Sequence, residues 1–108
     1  MECLDIIKKA IQLRKPFHYE YHAPDHVAGI RIGHPHAVFI HPTSGNVNMD
    51  IWKIGGVSSN PSKILPGWQQ YRVEFIRNVV ILEDEECFES ADGYNPHSKQ
   101  YIKAIIKL

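Results

Sequence analysis

Apolar and polar positions follow two rhythms along the chain. In MECLDIIKKAIQL, Leu4, Ile7 and Ile11 recur at helical spacing beside Ala10, while Lys8, Lys9 and Gln12 turn away. That pattern predicts an amphipathic helix over residues 2–14, stopped by Pro16. In PFHYEYHAP the period falls to two, with Phe17, Tyr19 and Tyr21 on one side and His18, Glu20 and His22 on the other. This predicts a half-buried strand between prolines. Residues 30–40 predict a second strand interrupted at Gly33–Pro35, because proline has no ladder donor and glycine invites a bulge. HPTSGN supplies turn chemistry, and Asn46–Ile54 predicts a third strand, with Val47, Met49 and Ile51 opposite Asn48, Asp50 and Trp52.

Residues 55–67, GGVSSNPSKILPG, read as the longest loop, of a length that often carries function. Two further strands are predicted at Trp68–Phe75 and Asn78–Leu82. In the former, Tyr71, Val73 and Phe75 oppose Trp68, Gln70, Arg72 and Glu74. Asn95 as a cap, Pro96 after it, and an apolar stripe of Tyr101, Ile102, Ile105 and Leu108 predict a closing helix. The expected fold class is α+β: a helix, about five short strands and a helix. With no crossover helices the sheet must be antiparallel. A strongly bent sheet or small barrel, one open end covered by the first helix, satisfies the pattern.

Composition narrows the function classes. The 108 residues are expected to form one domain, 1–108, with twelve acidic and twelve basic residues in balance. A protein coating nucleic acid non-specifically would need a basic excess. Cys3 and Cys87 are too few and too far apart for a disulfide framework. No signal layout opens the chain, and no apolar run approaches the roughly 20 residues of a membrane helix, so a cytoplasmic, membrane-free protein is expected.

Seven histidines raise the question of metal. His18, Glu20 and His22 share a strand face, but alternate residues lie about 6.5–7 Å apart, too spread for one ion. His34 and His36 lie on one side of a strand without a following carboxylate. Solvated strand histidines and no metal are expected. Nucleophilic chemistry has no support either: no serine or cysteine sits in a nucleophile elbow, and Cys87 lies in the acidic run EDEECFE. Gly55–Gly56 lacks the spacing and the lysine of a phosphate loop. Neither enzymatic activity nor a cofactor is expected.

Binding residues are better represented. Arg31, Lys53 and Arg72 fall in predicted strands, where a guanidinium gives bidentate recognition of phosphate or carboxylate. Trp52, Trp68, Tyr19 and Tyr21 offer faces on which a base stacks. The plainer alternative is that the arginines pair with carboxylates such as Glu74 or Asp50 and the tryptophans fill core.

Several segments, in order, resemble WYL domains. LDIIKKAIQLRKPFHYEY is similar to their opening helix, basic turn and phenylalanine-x-tyrosine strand. RIGHPHAVFI is similar to their arginine-x-x-glutamate-proline-histidine strand, with Arg31, Pro35 and His36 matching and His34 in place of glutamate. IWKIGGVSS, PGWQQYRVEFIRNVVIL and GYNP resemble stretches of short stand-alone members. The chain departs from the pattern at the naming triplet, where it reads N-V-N-M, at Gln69, which replaces an arginine, and at Phe75, which replaces a basic residue. The resemblance implies an Sm-like, SH3-type barrel and a role in regulation, sensing a small anionic or nucleotide-like ligand or single-stranded nucleic acid. The ligand residues expected on these combined grounds are Arg31, Arg72, Trp68, Lys53, Trp52 and His36. The alternative function is a protein–protein or homo-oligomerising barrel without ligand, pairing with itself or with a regulatory partner.

Overall fold

The computed structural model describes residues 3–60 and 62–108. The predicted first helix forms as α1, Cys3–Leu13, burying Ile7, Ala10 and Ile11; Glu2, at the start of the predicted span, lies outside the described residues. Arg14 adopts a left-handed conformation (φ 53°) just after α1. Its N–H donates to Ile11 O and that of Lys15 to Ala10 O, closing the helix as a C-terminal αL residue does.

Six antiparallel strands follow: β1 Phe17–Tyr21, β2 Arg31–Ile40, β3 Val47–Gly56, β4 Gly67–Arg72, β5 Ile76–Ile81 and β6 Ala104–Lys107. The order is β4-β3-β2-β1-β5, with β6 pairing β2 beyond the end of β1. The described residues do not close into a barrel. β4 pairs only β3 and β5 only β1, and a 3-10 turn, Val73–Phe75, carries the chain from one edge to the other. The predicted fourth strand, Trp68–Phe75, is thus cut short at Arg72.

Two irregularities shape the sheet. The β2–β3 register slips between Ile32 and Gly33, where β3 holds one residue more, and between Pro35 and Ala37, where β2 does. The second is the interruption foreseen around Gly33–Pro35, displaced to His36. Each bulge bends the ladder and resets which residues face the core. Before His36, Arg31, Gly33 and Pro35 share the inner face with Tyr19, Lys53 and Ile51; after it, Val38 faces inward with Met49. The inner face, under α1, packs Phe17, Tyr19, Tyr21, Val38, Met49, Ile51, Tyr71 and Ile76. The outer face forms a smaller core of Ala37, Phe39 and Tyr101, with Tyr94 and Ala104 against it.

The predicted C-terminal helix does not form. Ser98 caps only a 3-10 turn, Lys99–Tyr101, and the chain then extends as β6. Alternation, with Ala104 and Ile106 half-buried and Ile105 exposed, overrides the helical stripe, in which Ile102 is left 81% exposed. The edge of β2 past the end of β1 supplies the hydrogen-bonding partner that a helix would forgo. No helix among the described residues is long and apolar enough to cross a membrane.

Candidate ligand-binding clefts on the two faces of strand β4

The inner cleft begins at Arg31, the first residue of β2. Its Cα is opposite Tyr19 on β1 and Gly56 on β3, so its side chain enters the inner face. Gly56 makes this possible: φ is +88°, and a Cβ there would lie 2.2 Å from Ile30 O and 2.5 Å from Arg31 Cα, a backbone approach open only to glycine. Arg31 is 2% exposed. One terminal nitrogen, Nη1, donates to Tyr71 Oη at 3.2 Å; the other, Nη2, donates to Val27 O at 2.9 Å and Ser59 Oγ at 3.0 Å. The guanidinium carbon stands 5.6 Å from the Tyr71 ring centroid and 5.9 Å from that of Tyr21, within cation–π range. Nε is buried without a partner.

Lys53, from the middle of β3, is also 2% exposed. Its Nζ donates to Val57 O at 2.5 Å and Ser58 Oγ at 2.7 Å. Burial first, then the charges of Arg31 and Lys63, lower its pKa to about 8. Arg31, Lys53, Lys63, Tyr21, Tyr71 and Ser59 line a cleft of about 280 Å³. The ion pairs among the described residues are Glu20–His22 and Glu74–Arg72, so no carboxylate neutralises these three cations. Buried charge without a counter-ion is costly.

Arg72 does not join it. It lies opposite Asn48 on the outer face, is exposed, pairs with Glu74 and rests 5.0 Å over the Phe75 ring. The plainer alternative for a strand arginine thus describes Arg72 and does not describe Arg31.

Trp52 and Trp68 lie opposite each other on the outer face, ring centroids 5.4 Å apart and nearly perpendicular. They are therefore not walls of the Arg31–Lys53 cleft. Trp68 Nε1 donates to Asp92 O at 2.9 Å. His36, at the β2 bulge, is fully buried, with its ring 4.8 Å from Trp68, 5.3 Å from Phe88 and 5.1 Å from Tyr94. Nε2 accepts from Ala91 N–H at 3.0 Å, which leaves the proton on Nδ1 to be donated to His34 O at 2.8 Å. Both nitrogens are thereby committed, and burial lowers the pKa to about 4. His36 is a neutral anchor for the segment after β5. His34 stacks on Phe88, centroids 4.7 Å apart. Among the described residues no group of three or more histidine, cysteine, aspartate or glutamate side chains is arranged to hold a metal.

A second cleft, of about 500 Å³, opens on this outer face between β4 and residues 93–101. Asp50 lies in it, 7% exposed, with Trp68, Tyr94 and Tyr101 around it. Gln69 and Gln70, on the edge strand β4, line both clefts, as does Lys63 from the loop before it. Of the residues expected from the sequence, the structure brings Arg31 and Lys53 together, sets Trp52, Trp68 and His36 on the opposite face, and leaves Arg72 outside both. Lys63, Ser58 and Ser59 were not anticipated; they sit in the one long loop flagged for function, which is the only signal that pointed to them.

Comparisons of the chain with protein-family models, with curated proteins and with solved structures gave no match.

Proposed function

We propose that this protein is a non-enzymatic binding module that takes a small anionic group, the phosphate or carboxylate head of a nucleotide-like ligand, between Arg31 and Lys53. A regulatory role follows from the resemblance to WYL domains. One observation carries the reading: two cations, each 2% exposed, meet at a cleft where no acidic side chain neutralises them. An anion supplies the missing charge, with Arg31 and Lys53 as charge-assisted donors and Ser59 beside them. At about 280 Å³ the space suits a head group, below the usual range for a whole drug-sized ligand. The remainder of the ligand, or the next nucleotides of a single strand, would extend past Lys63.

Thermal denaturation with phosphate, sulfate, mononucleotides and short oligonucleotides, at low and moderate salt, tests this. A ligand at a hundred times its Kd stabilises the fold by about 2.7 kcal/mol. The stabilisation is expected to fall to about half or less in Arg31→Met and to persist in Arg72→Ala. No stabilisation by any anion, or an equal effect in Arg31→Met, overturns the reading.

A second reading, self-association through a sheet edge, draws on the single-sided pairing of β4 and β5. Sedimentation across a concentration series decides it, since a constant monomer mass leaves that reading without support.

A further inference from the structure

We infer that the outer cleft is a separate site for a compact organic cation, an alkylammonium or guanidinium group, seated on Asp50 among the rings of Trp68, Tyr94 and Tyr101. Asp50 is the cleft's one acidic residue and is more than nine-tenths buried. Its Oδ1 accepts from Gln70 Nε2 at 2.8 Å and its Oδ2 from Tyr101 Oη at 2.6 Å. Both donors are neutral. A carboxylate offers about four acceptor positions, so half of them remain, and its charge is unmatched by any ion pair among the described residues. Burial first, then the bond to Asp50, push the Tyr101 phenol far above its ordinary range, which keeps it a donor to Asp50 at every working pH.

The walls fit the same chemistry. Tyr94 stands 6.2 Å from Trp68 and 6.0 Å from Tyr101, centroid to centroid. Trp68 is fixed by its bond to Asp92 O, and Tyr94 by the 3.0 Å bond from its hydroxyl to Leu108 O. Aromatic faces around a desolvated carboxylate favour a soft cation over a neutral solute of the same shape. Lys63, the cation at the rim, has its Nζ 3.3 Å from Gln69 Oε1 and makes no pair with Asp50.

The site shares no charged side chain with the anion cleft except Lys63, so the two proposals fail separately. The two tryptophans of the chain are Trp68, in the cleft wall, and Trp52, packed against it, and their fluorescence reports occupancy. Tetramethylammonium, methylammonium and agmatine are titrated into the full chain, with tert-butanol and neopentyl alcohol as neutral counterparts. A saturable change with the cations and none with the alcohols is expected, with at least a tenfold loss of affinity in Asp50→Asn. Should Asp50→Asn fail to fold, Gln100→Lys, which sets a positive charge on the cleft wall, is expected to give a comparable loss. Lys63→Ala is expected to strengthen cation binding while weakening phosphate binding to the inner cleft, two opposite shifts from one substitution. No saturable response to any cation, an equal response to the alcohols, or affinity unchanged by both Asp50→Asn and Gln100→Lys would overturn the inference.

Discussion

The two clefts flanking β4 are built from the same edge hairpin and differ in their charged side chains. The inner one gathers Arg31, Lys53 and Lys63 without an acid; the outer one holds Asp50 without a cation paired to it. Both have aromatic walls, Tyr21 and Tyr71 inside, Trp68, Tyr94 and Tyr101 outside. Strand parity separates them. Lys53 and Tyr71 point one way, and Asp50, Trp68 and Arg72 the other, because successive side chains leave a strand on alternate faces. A net charge of zero over the whole chain therefore hides a local excess of positive charge in the inner cleft, held apart from Asp50 by one layer of backbone.

The most severe way to break the inner cleft is Gly56→Ala. The added methyl meets the Ile30–Arg31 backbone in a conformation that side chains rarely adopt, so a loss of about 3 kcal/mol or more in urea denaturation is expected. Arg31→Met comes next. Losing a buried charge-assisted donor should weaken anion binding by about 10- to 100-fold, read by calorimetry, whereas Arg72→Ala should change it by less than about twofold.

Lys53→Met sharpens the contrast further. Replacing an uncompensated buried charge by an apolar chain of similar length is expected to leave stability unchanged or raise it while anion affinity falls. Lys53 also carries a pH signature. Its folded pKa is about 8 against the ordinary 10.5, so between those values the unfolded chain binds more protons and stability rises with pH. Anion affinity runs the other way and falls as pH climbs through about 8, because the lysine loses its charge. Both trends should be absent in Lys53→Met.

The smallest effect tests the outer face. His36 is neutral when folded, with a pKa lowered to about 4 from 6.5. Stability should therefore decline as pH drops from 6.5 toward 4, followed by Trp68 fluorescence, and His36→Gln should flatten that decline.

Local periodicity made much of this legible. α1 was readable because Leu4, Ile7 and Ile11 lie on one helical stripe, and β1 because three aromatics alternate with two polar residues. The closing segment was misread because Asn95, Pro96 and the 101–108 spacing are valid helix signals. What defeats them is a distant fact, the unpaired stretch of β2 that only β6 covers. The barrel failed for a related reason: whether β4 and β5 meet depends on the bend at the bulges, which alternation does not encode. Arg31 and Lys53 were recognisable by residue type and strand position. Arg72 was indistinguishable from them until strand pairing assigned its face. Asp50 read as a possible partner for an arginine, and its burial without a paired cation depends on how residues 93–101 fold back.

The extra residue at His36 has a consequence for how this chain tolerates change in length. Without it the strand would run on with Ala37, Val38, Phe39 and Ile40 pointing where they already point, since the bulge absorbs one position and restores the alternation. His36 is thus an inserted link whose removal would spare the alternation and release the bonds that His36 accepts from the Ala91 and Leu108 N–H groups. Excising it should straighten β2, keep the inner cleft, and loosen the covering segment at Ala91 while Trp68, Asp50 and Leu108 still hold Asp92, Tyr101 and Tyr94.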